Sequence, residues 1–253
     1  AFQCTLCSRC ELECPVNIGL KDVWLSLREA LVSEGRYPQS IAELKNTLKK
    51  GKNISFETNK SRADWIKQIP DIPEDRLLKK TAEVIYFAGC VPSFSPEVFQ
   101  IPKALLKLFQ KADIDFAIMG EDEWCCGFPL LAAGFKEDAM EFAEHNIKSV
   151  NERNAKYLIT GCPTCFHMWE RIYPEIAHGI MNLYTYPKPI LSEKMNFTVL
   201  HEVQFLSELI KEKRFVLKPL NKKITYHDPC DLGRSSGIYD EPRSIIKAIP
   251  EIK

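Results

Sequence analysis

The spacing of apolar positions changes character along the chain. Leu20, Val23, Trp24, Leu27 and Leu31 recur at steps of three and four, the stripe of an amphipathic packing helix, and Gly35 stands where its C-cap belongs. Ser40 with Glu43 has capping-box spacing ahead of Ile41, Leu44 and Leu48, with Gly51 closing that helix; Ser61 with Asp64 repeats the signature before Trp65 and Ile66. Residues 1 to about 69 are therefore expected to be helical, and Pro70-Asp71-Ile72-Pro73 reads as a linker that no helix crosses comfortably. Beyond it, Glu83–Ala88, Lys156–Thr160 and Lys223–Tyr226 are short β-branched or aromatic runs, separated by helical patterns over 97–111 and 135–153. That alternation predicts an α/β unit with a mostly parallel sheet. Each expected strand runs into a cysteine, at Gly89-Cys90, Gly161-Cys162 and Pro229-Cys230. Sites in open α/β sheets gather at the carboxyl ends of strands, so these three are expected to converge.

Composition narrows the classes of function. The 253 residues suffice for about two domains, and Lys+Arg and Asp+Glu balance at 34 each, so nothing favours a nucleic-acid partner or an anionic membrane surface. The longest apolar runs, such as Val84–Ala88 and Phe128–Ala133, fall well short of the roughly 18 residues of a membrane span; work at a membrane would need another subunit as anchor. The chain opens on Ala1 without a signal-peptide pattern, and an earlier natural start is expected. Its ten cysteines cluster at short intervals, which suits metal ligands in a reducing compartment better than disulfides, and the cytoplasm is the expected location.

Cys4-x-x-Cys7-x-x-Cys10-x-x-x-Cys14-Pro15 matches the bacterial ferredoxin run, in which three closely spaced thiolates hold one [4Fe–4S] cubane and the proline-flanked fourth ligates another. Zinc sites more often pair separated elements. On this reading the remaining ligands of two cubanes lie upstream of Ala1; the alternative is one cubane that takes all four cysteines.

The middle of the chain carries Cys90, then 34 residues, then Cys125-Cys126-Gly127, then a further 34, then Cys162-Pro163-Thr164-Cys165. Adjacent cysteines in extended backbone point to opposite sides, so both serve one site only if the chain turns sharply, and Gly127 supplies that freedom. Pro163 suits a helix start, where the dipole favours anions at Cys165. A thioredoxin-like pair at Cys162 and Cys165 would leave Cys90, Cys125 and Cys126 unexplained, and structural zinc in a rubredoxin- or ribbon-like site is a less economical alternative. The pattern resembles the CCG domain of the heterodisulfide reductase family, and the resemblance covers the whole chain. It implies that Cys90, Cys125, Cys126, Cys162 and Cys165 bind a noncubane [4Fe–4S] cluster that cleaves a disulfide. The implied architecture is an N-terminal all-α ferredoxin-like cluster domain (1–69) followed by an α/β CCG domain with mostly parallel strands (70–220).

The stretch Ile224–Arg234, with Gly237–Arg243 after it, resembles the opening of a second CCG repeat (221–253) in which Cys230 corresponds to Cys90. Too few residues follow for a second CCG and CxxC. His227 and Asp228 are candidates to orient a site or protonate a leaving thiol, or else a strand-end cap and core polar pair; Arg234 and Arg243 are anion-binding candidates or surface ion pairs. His145, His167, His178 and His201 lack ligand spacing and read as structural. Trp124 and Phe128 flank the CCG, as shields for a cluster or as packing.

The expected function is electron relay from cubanes to a noncubane centre that reduces or forms a disulfide. The expected partners are other subunits of a redox complex, a membrane cytochrome b among them, and a disulfide or thiol substrate or a small sulfur-carrier protein. The alternatives are the electron-transfer subunit of a flavin-dependent glycolate, lactate or glycerol-3-phosphate dehydrogenase, or a cluster scaffold without catalysis.

Overall fold

A computed structural model describes residues 1–177 and 194–253. The N-terminal part is helical: α1 (Arg9–Leu12), α2 (Leu20–Ser33), α3 (Gln39–Gly51), a 3-10 stretch Asn59–Gln68 and α4 (Glu74–Leu77). Then come β1 (Val84–Phe87), α5 (Cys90–Phe94), α6 (Gln100–Lys111), β2 (Phe116–Ile118), α7 (Phe128–Ala133), α8 (Lys136–Asn151), β3 (Tyr157–Thr160) and α9 (Pro163–His167). A π-helical turn, Met168–Ile172, joins α9 to α10 (Tyr173–Ala177), and β4 (Thr198–His201), α11 (Glu202–Lys211) and α12 (Asp240–Ala248) complete the described elements.

The strands form one parallel sheet in the order β2-β1-β3-β4, with Val84 opposite both Phe116 and Tyr157, and Tyr157 opposite Thr198. Alternate residues of β1 feed two cores. Ile85 and Phe87 join Ala117, Leu158, Phe142 and Trp169 on one face, while Val84 and Tyr86 join Phe116, Ile159, Phe109 and Phe205 on the other. Burial on both faces explains the near-continuous apolar runs of β1 and β2. The N-terminal helices pack on the same cores: Leu48 of α3 lies in the first, and Trp65, Ile66, Ile69 and Ile72 lie in the second.

Several expectations need correction. Lys223–Tyr226 is not a strand; its residues are largely exposed, and Ile224 N–H bonds the terminal Lys253 carbonyl instead of a sheet neighbour. With lysines at 222 and 223 and Ile224 40% exposed, this run has no face to bury against the sheet. Cys230 therefore does not end a strand. Two strands the pattern did not reveal, β2 and β4, frame the sheet, and both are too short to show a period of two. The expected capping boxes at Ser40 and Ser61 are absent: Pro38 caps α3, whose extended φ of -60 and ψ of 147 already direct the chain into the helix, and Thr58 precedes the 3-10 stretch without a side-chain cap. In α2 the expected stripe is half-exposed at Val23 and Leu27, because the helix is anchored through Arg28, buried and bonded to the carbonyls of Ala1, Cys4 and Ala132. Gly134 permits this: a Cβ there would lie 2.7 Å from the Arg28 backbone.

Candidate metal centre

Cys90 begins α5 just beyond β1, and Cys162 is the N-cap of α9 just beyond β3, so adjacent parallel strands deliver both to the carboxyl edge of the sheet. Pro163 occupies the first turn of α9, and Phe166 N–H bonds the Cys162 carbonyl at 2.8 Å. Cys125 and Cys126 arrive from β2 by way of the turn at 120–122. Gly127 follows with φ 80, and a Cβ there would lie 3.1 Å from the Ala139 carbonyl oxygen; positive φ and close approach to α8 both require glycine. Asn146, wholly buried, locks the turn by accepting from Trp124 N–H at 3.0 Å and donating to the Cys125 carbonyl at 3.0 Å, while the Tyr173 hydroxyl donates to the Cys126 carbonyl at 2.9 Å.

The five thiols form a chain of side-chain contacts: Cys90 to Cys125, Cys125 to Cys126, Cys126 to Cys165, Cys165 to Cys162. Four of them are buried and Cys162 is half-buried. Their acidities diverge. Contact with Cys125 and then Cys165 draws the Cys126 thiol down to about 6, and contact with Cys165 draws Cys162 down to about 7, helped by amides of the α9 start. Cys90, Cys125 and Cys165 are pushed well up, first by their thiol neighbours and then by burial. Five thiolates in so little water need a cationic core between them. Among the described residues no His, Cys, Asp and Glu side chains converge on a point that one metal ion would fill. A file of soft thiols suits a multi-iron sulfide core better than a single ion.

Cys4 and Cys7 are half-buried on a loop where Leu6 and Ser8 both take φ 56, Cys10 is exposed in α1, and Cys14 is half-buried just beyond it. Such left-handed turns aim amides into a concavity that favours anions. Leu6 N–H points at Cys4 Sγ and Ile18 N–H at Cys14 Sγ, each at 3.4 Å. The Arg9 amide holds the Cys7 thiol below its ordinary pKa, and the Ile18 amide does the same for Cys14. These residues also fit an anionic iron–sulfur group.

Cys230 is half-buried after Pro229 and belongs to none of these sulfur contacts. The segment after it nonetheless ties the two cysteine regions together. Thr164 of the CxxC donates to Asp231 at 2.6 Å, Lys21 lies 3.9 Å from the same carboxylate, and Arg234 Nε donates to the Cys7 carbonyl at 2.8 Å. His227 is exposed, and Asp228 forms a two-point ion pair with Arg243 at 2.7 and 2.6 Å, so the expected strand-end cap and core polar pair is not formed. His201 caps α11 in a capping box with Gln204, and His145 stacks on Trp124 at 3.6 Å; both are structural, as expected. His178 lies outside the described residues. Trp124 also meets Phe142 edge-on and lies under the Lys52 ammonium at 4.0 Å.

Sequence reasoning missed Arg62 and Glu123. Arg62 Nη1 donates to Glu123 Oε1 at 2.8 Å, both side chains being only 2% exposed, and Arg62 Nη2 lies 3.7 Å from Cys90 Sγ. Glu123 also accepts the amides of Ala88 and Gly89 at 3.0 and 2.8 Å. Against the pull of burial, the charges of Glu123 and then Cys90 hold the Arg62 guanidinium above its ordinary value. An isolated Arg in a polar stretch carries no periodic signal that would have marked it.

A parallel α/β sheet with cysteines massed at its carboxyl edge, behind a ferredoxin-type cysteine run, is the arrangement of an iron–sulfur-binding protein. The model of the CCG family, a cysteine-rich domain, matches residues 84–170 and 224–253. One subunit of the dihydromethanophenazine:CoB–CoM heterodisulfide reductase of Methanosarcina barkeri is 30% identical over 99% of this chain and 57% of its own length. The EtfAB:quinone oxidoreductase of Syntrophomonas wolfei is 28% identical over 98% of this chain and 33% of its own, and the probable iron-sulfur-binding oxidoreductase FadF of Bacillus subtilis is 29% identical over 100% and 34%. No solved structure matches. Residues 84–170 and 224–253 thus carry CCG cysteine-rich sequence, the chain is similar along its whole length to these iron–sulfur proteins, and it spans 57% of the length of the Methanosarcina relative. Among the described residues no helix is long and apolar enough to cross a membrane.

Proposed function

We propose that this chain reduces or forms a disulfide-type substrate at a noncubane [4Fe–4S] centre held by Cys90, Cys125, Cys126, Cys162 and Cys165, fed by cubane chemistry at Cys4, Cys7, Cys10 and Cys14. The observation that carries the reading is the unbroken file of five thiols at the carboxyl edge of the sheet. Cleaving a disulfide takes two electrons and two protons, and an iron centre that accepts a substrate sulfur lets one-electron donors complete it. The protein's own part is to present the thiols: Gly127 turns the CCG, Asn146 and Tyr173 hold that turn, and the α9 start orients Cys162 and Cys165. Residues 1–69 form the cubane-bearing, ferredoxin-like part and residues 70–220 the CCG part, with 221–253 a partial second repeat. Other subunits of a cytoplasmic redox complex, a membrane cytochrome b among them, are the proposed partners; a small sulfur carrier is an equivalent source of the disulfide.

Cys125→Ser is expected to abolish disulfide reduction while the N-terminal cubanes remain reducible, and unaltered turnover would sink the proposal. The likeness to an EtfAB:quinone oxidoreductase favours a second reading, electron transfer without disulfide chemistry. An electron paramagnetic resonance spectrum of the oxidised protein that changes on adding thiol supports the first; one indifferent to thiols supports the second.

A further inference from the structure

The wall of the five-thiol site on the Cys90 side is supplied by the N-terminal region. The Lys52 carbonyl accepts Cys125 N–H at 2.8 Å and also faces Arg62 Nη2 at 3.4 Å. Ile54 N–H bonds the Cys90 sulfur. Arg62, from the 3-10 stretch, is the cation closest to the Cys90 sulfur among these groups, and it is held there from three sides: by Glu123, by the Asn59 side chain at 3.0 Å and by the Phe94 ring at 5.2 Å. The Glu123 carboxylate is spent on Arg62 and on two amides at the end of β1, so the guanidinium keeps a face toward the thiols.

A buried arginine that only braced the fold would be satisfied by carboxylate and carbonyls alone. Here one of its nitrogens is directed to a sulfur at the head of the thiol file. In a site so poor in water, a fixed charge is screened less than it would be at the surface.

We infer that Arg62 is the built-in counter-charge of the five-thiol centre, a positioning residue from the N-terminal region that raises the reduction potential of whatever iron–sulfur group those thiols hold. The inference rests on the cluster reading of this site and not on the identity of its substrate. Adding an electron to the centre adds negative charge beside the guanidinium, so the cation favours the reduced form. Glu123 acts in the opposite sense, since it neutralises part of that cation.

The test is a redox titration of the anaerobically purified full chain, followed by electron paramagnetic resonance, with iron per chain measured on each preparation. Arg62→Gln is expected to shift the midpoint of the five-thiol centre downward, Arg62→Lys to restore most of it, and Glu123→Gln to shift it upward, with the N-terminal cubane midpoint unmoved in all three. Opposite shifts from the two partners of one ion pair are what a purely structural role would not produce. Equal midpoints in Arg62→Gln and the parent, or shifts of the same sign from Arg62→Gln and Glu123→Gln, overturn the inference. Should Arg62→Gln fail to fold with Glu123 left buried and unpaired, the double variant Arg62→Met, Glu123→Gln removes both charges, and a midpoint no lower than the parent's overturns it. Iron content unchanged by Cys125→Ser overturns the cluster reading and this inference together, whereas indifference of the spectrum to thiol overturns only the substrate reading.

Discussion

Gly89 links β1 to Cys90, and replacing it with alanine tests how tightly the strand ends converge. Its φ of 82 and ψ of 171 lie in a region that is essentially glycine-only, where a side chain costs about 1–3 kcal/mol. An added Cβ would stand 3.3 Å from Cys165 Sγ and 3.9 Å from Cys162 Cβ, between the end of one strand and the CxxC turn of the next. Sulfur and turn must then give way in a packed interior, so strain and crowding together amount to about 2–4 kcal/mol. For a chain of this size that lowers the unfolding temperature by roughly 4–16 °C. Gly35→Ala is the control, since Gly35 has φ 70 but nothing within 4 Å of the added carbon, and only the left-handed backbone cost of roughly 1–2 kcal/mol applies. Urea unfolding by tryptophan fluorescence reads both, and iron per chain reports whether Gly89→Ala also loosens the centre. Equal losses from the two variants, or full iron retention with an undisturbed spectrum in Gly89→Ala, would refute the claim that Cys165 crowds the end of β1.

Three other outcomes are expected. Tyr173→Phe removes the bond to the Cys126 carbonyl and the longer one accepted from Asn146 Nδ2 and should cost about 1–2 kcal/mol, whereas Asn146→Ala strips the CCG turn of its bonds to Trp124, Cys125 and Tyr173 and should cost about 2–4 kcal/mol, both read by urea unfolding; the reverse order would mean that the turn is not held as described. Glu202, burdened by burial to about 7 with Oε2 unpartnered over Gly161, contributes full stability below the unfolded value of 4.5 and loses it as pH rises from there through 7. Glu202→Gln should therefore gain on the parent over that window, by up to about 2–3 kcal/mol at neutral pH, and a difference constant with pH would contradict this. His201, depressed by burial to about 4 from 6.5, works the other way: its contribution is whole above 6.5 and is lost as pH falls toward 4, so His201→Asn should flatten the acid limb of the stability profile.

What could be read in the chain beforehand follows from physical scale. The cysteine spacings, the helices of 97–111 and 135–153, the strands ending at Cys90 and Cys162, and the glycine turn after Cys126 all rest on contacts within a few residues, or on a period that a run of ten displays. Missed features depend on long-range company. The three residues of β2 and the four of β4 take their strand state from neighbours already in the sheet, and the run at 223–226 has strand-like residues but no buried face to spend them on. Arg28 sits within the amphipathic α2 and Arg62 in a polar stretch, and no local signal marks either as buried; both are buried because distant carbonyls, a carboxylate and a sulfur meet them.

Arg28 and Arg234 bear on how the cysteine regions are joined. Arg28 reaches the Cys4 carbonyl from α2 and the Ala132 carbonyl beyond the CCG, while Arg234 reaches the Cys7 carbonyl from the segment whose Asp231 bonds Thr164 of the CxxC. Each cation bonds backbone oxygens beside the thiols, and so holds the N-terminal loop against the α/β part without adding a hydrogen-bond donor to its sulfurs. Arg62 alone of the three directs a nitrogen at a sulfur. Anchoring and charge compensation are thus carried by different arginines, which is why removing Arg62 should move a potential, whereas removing Arg28 or Arg234 should first loosen the seam between the two cysteine sites.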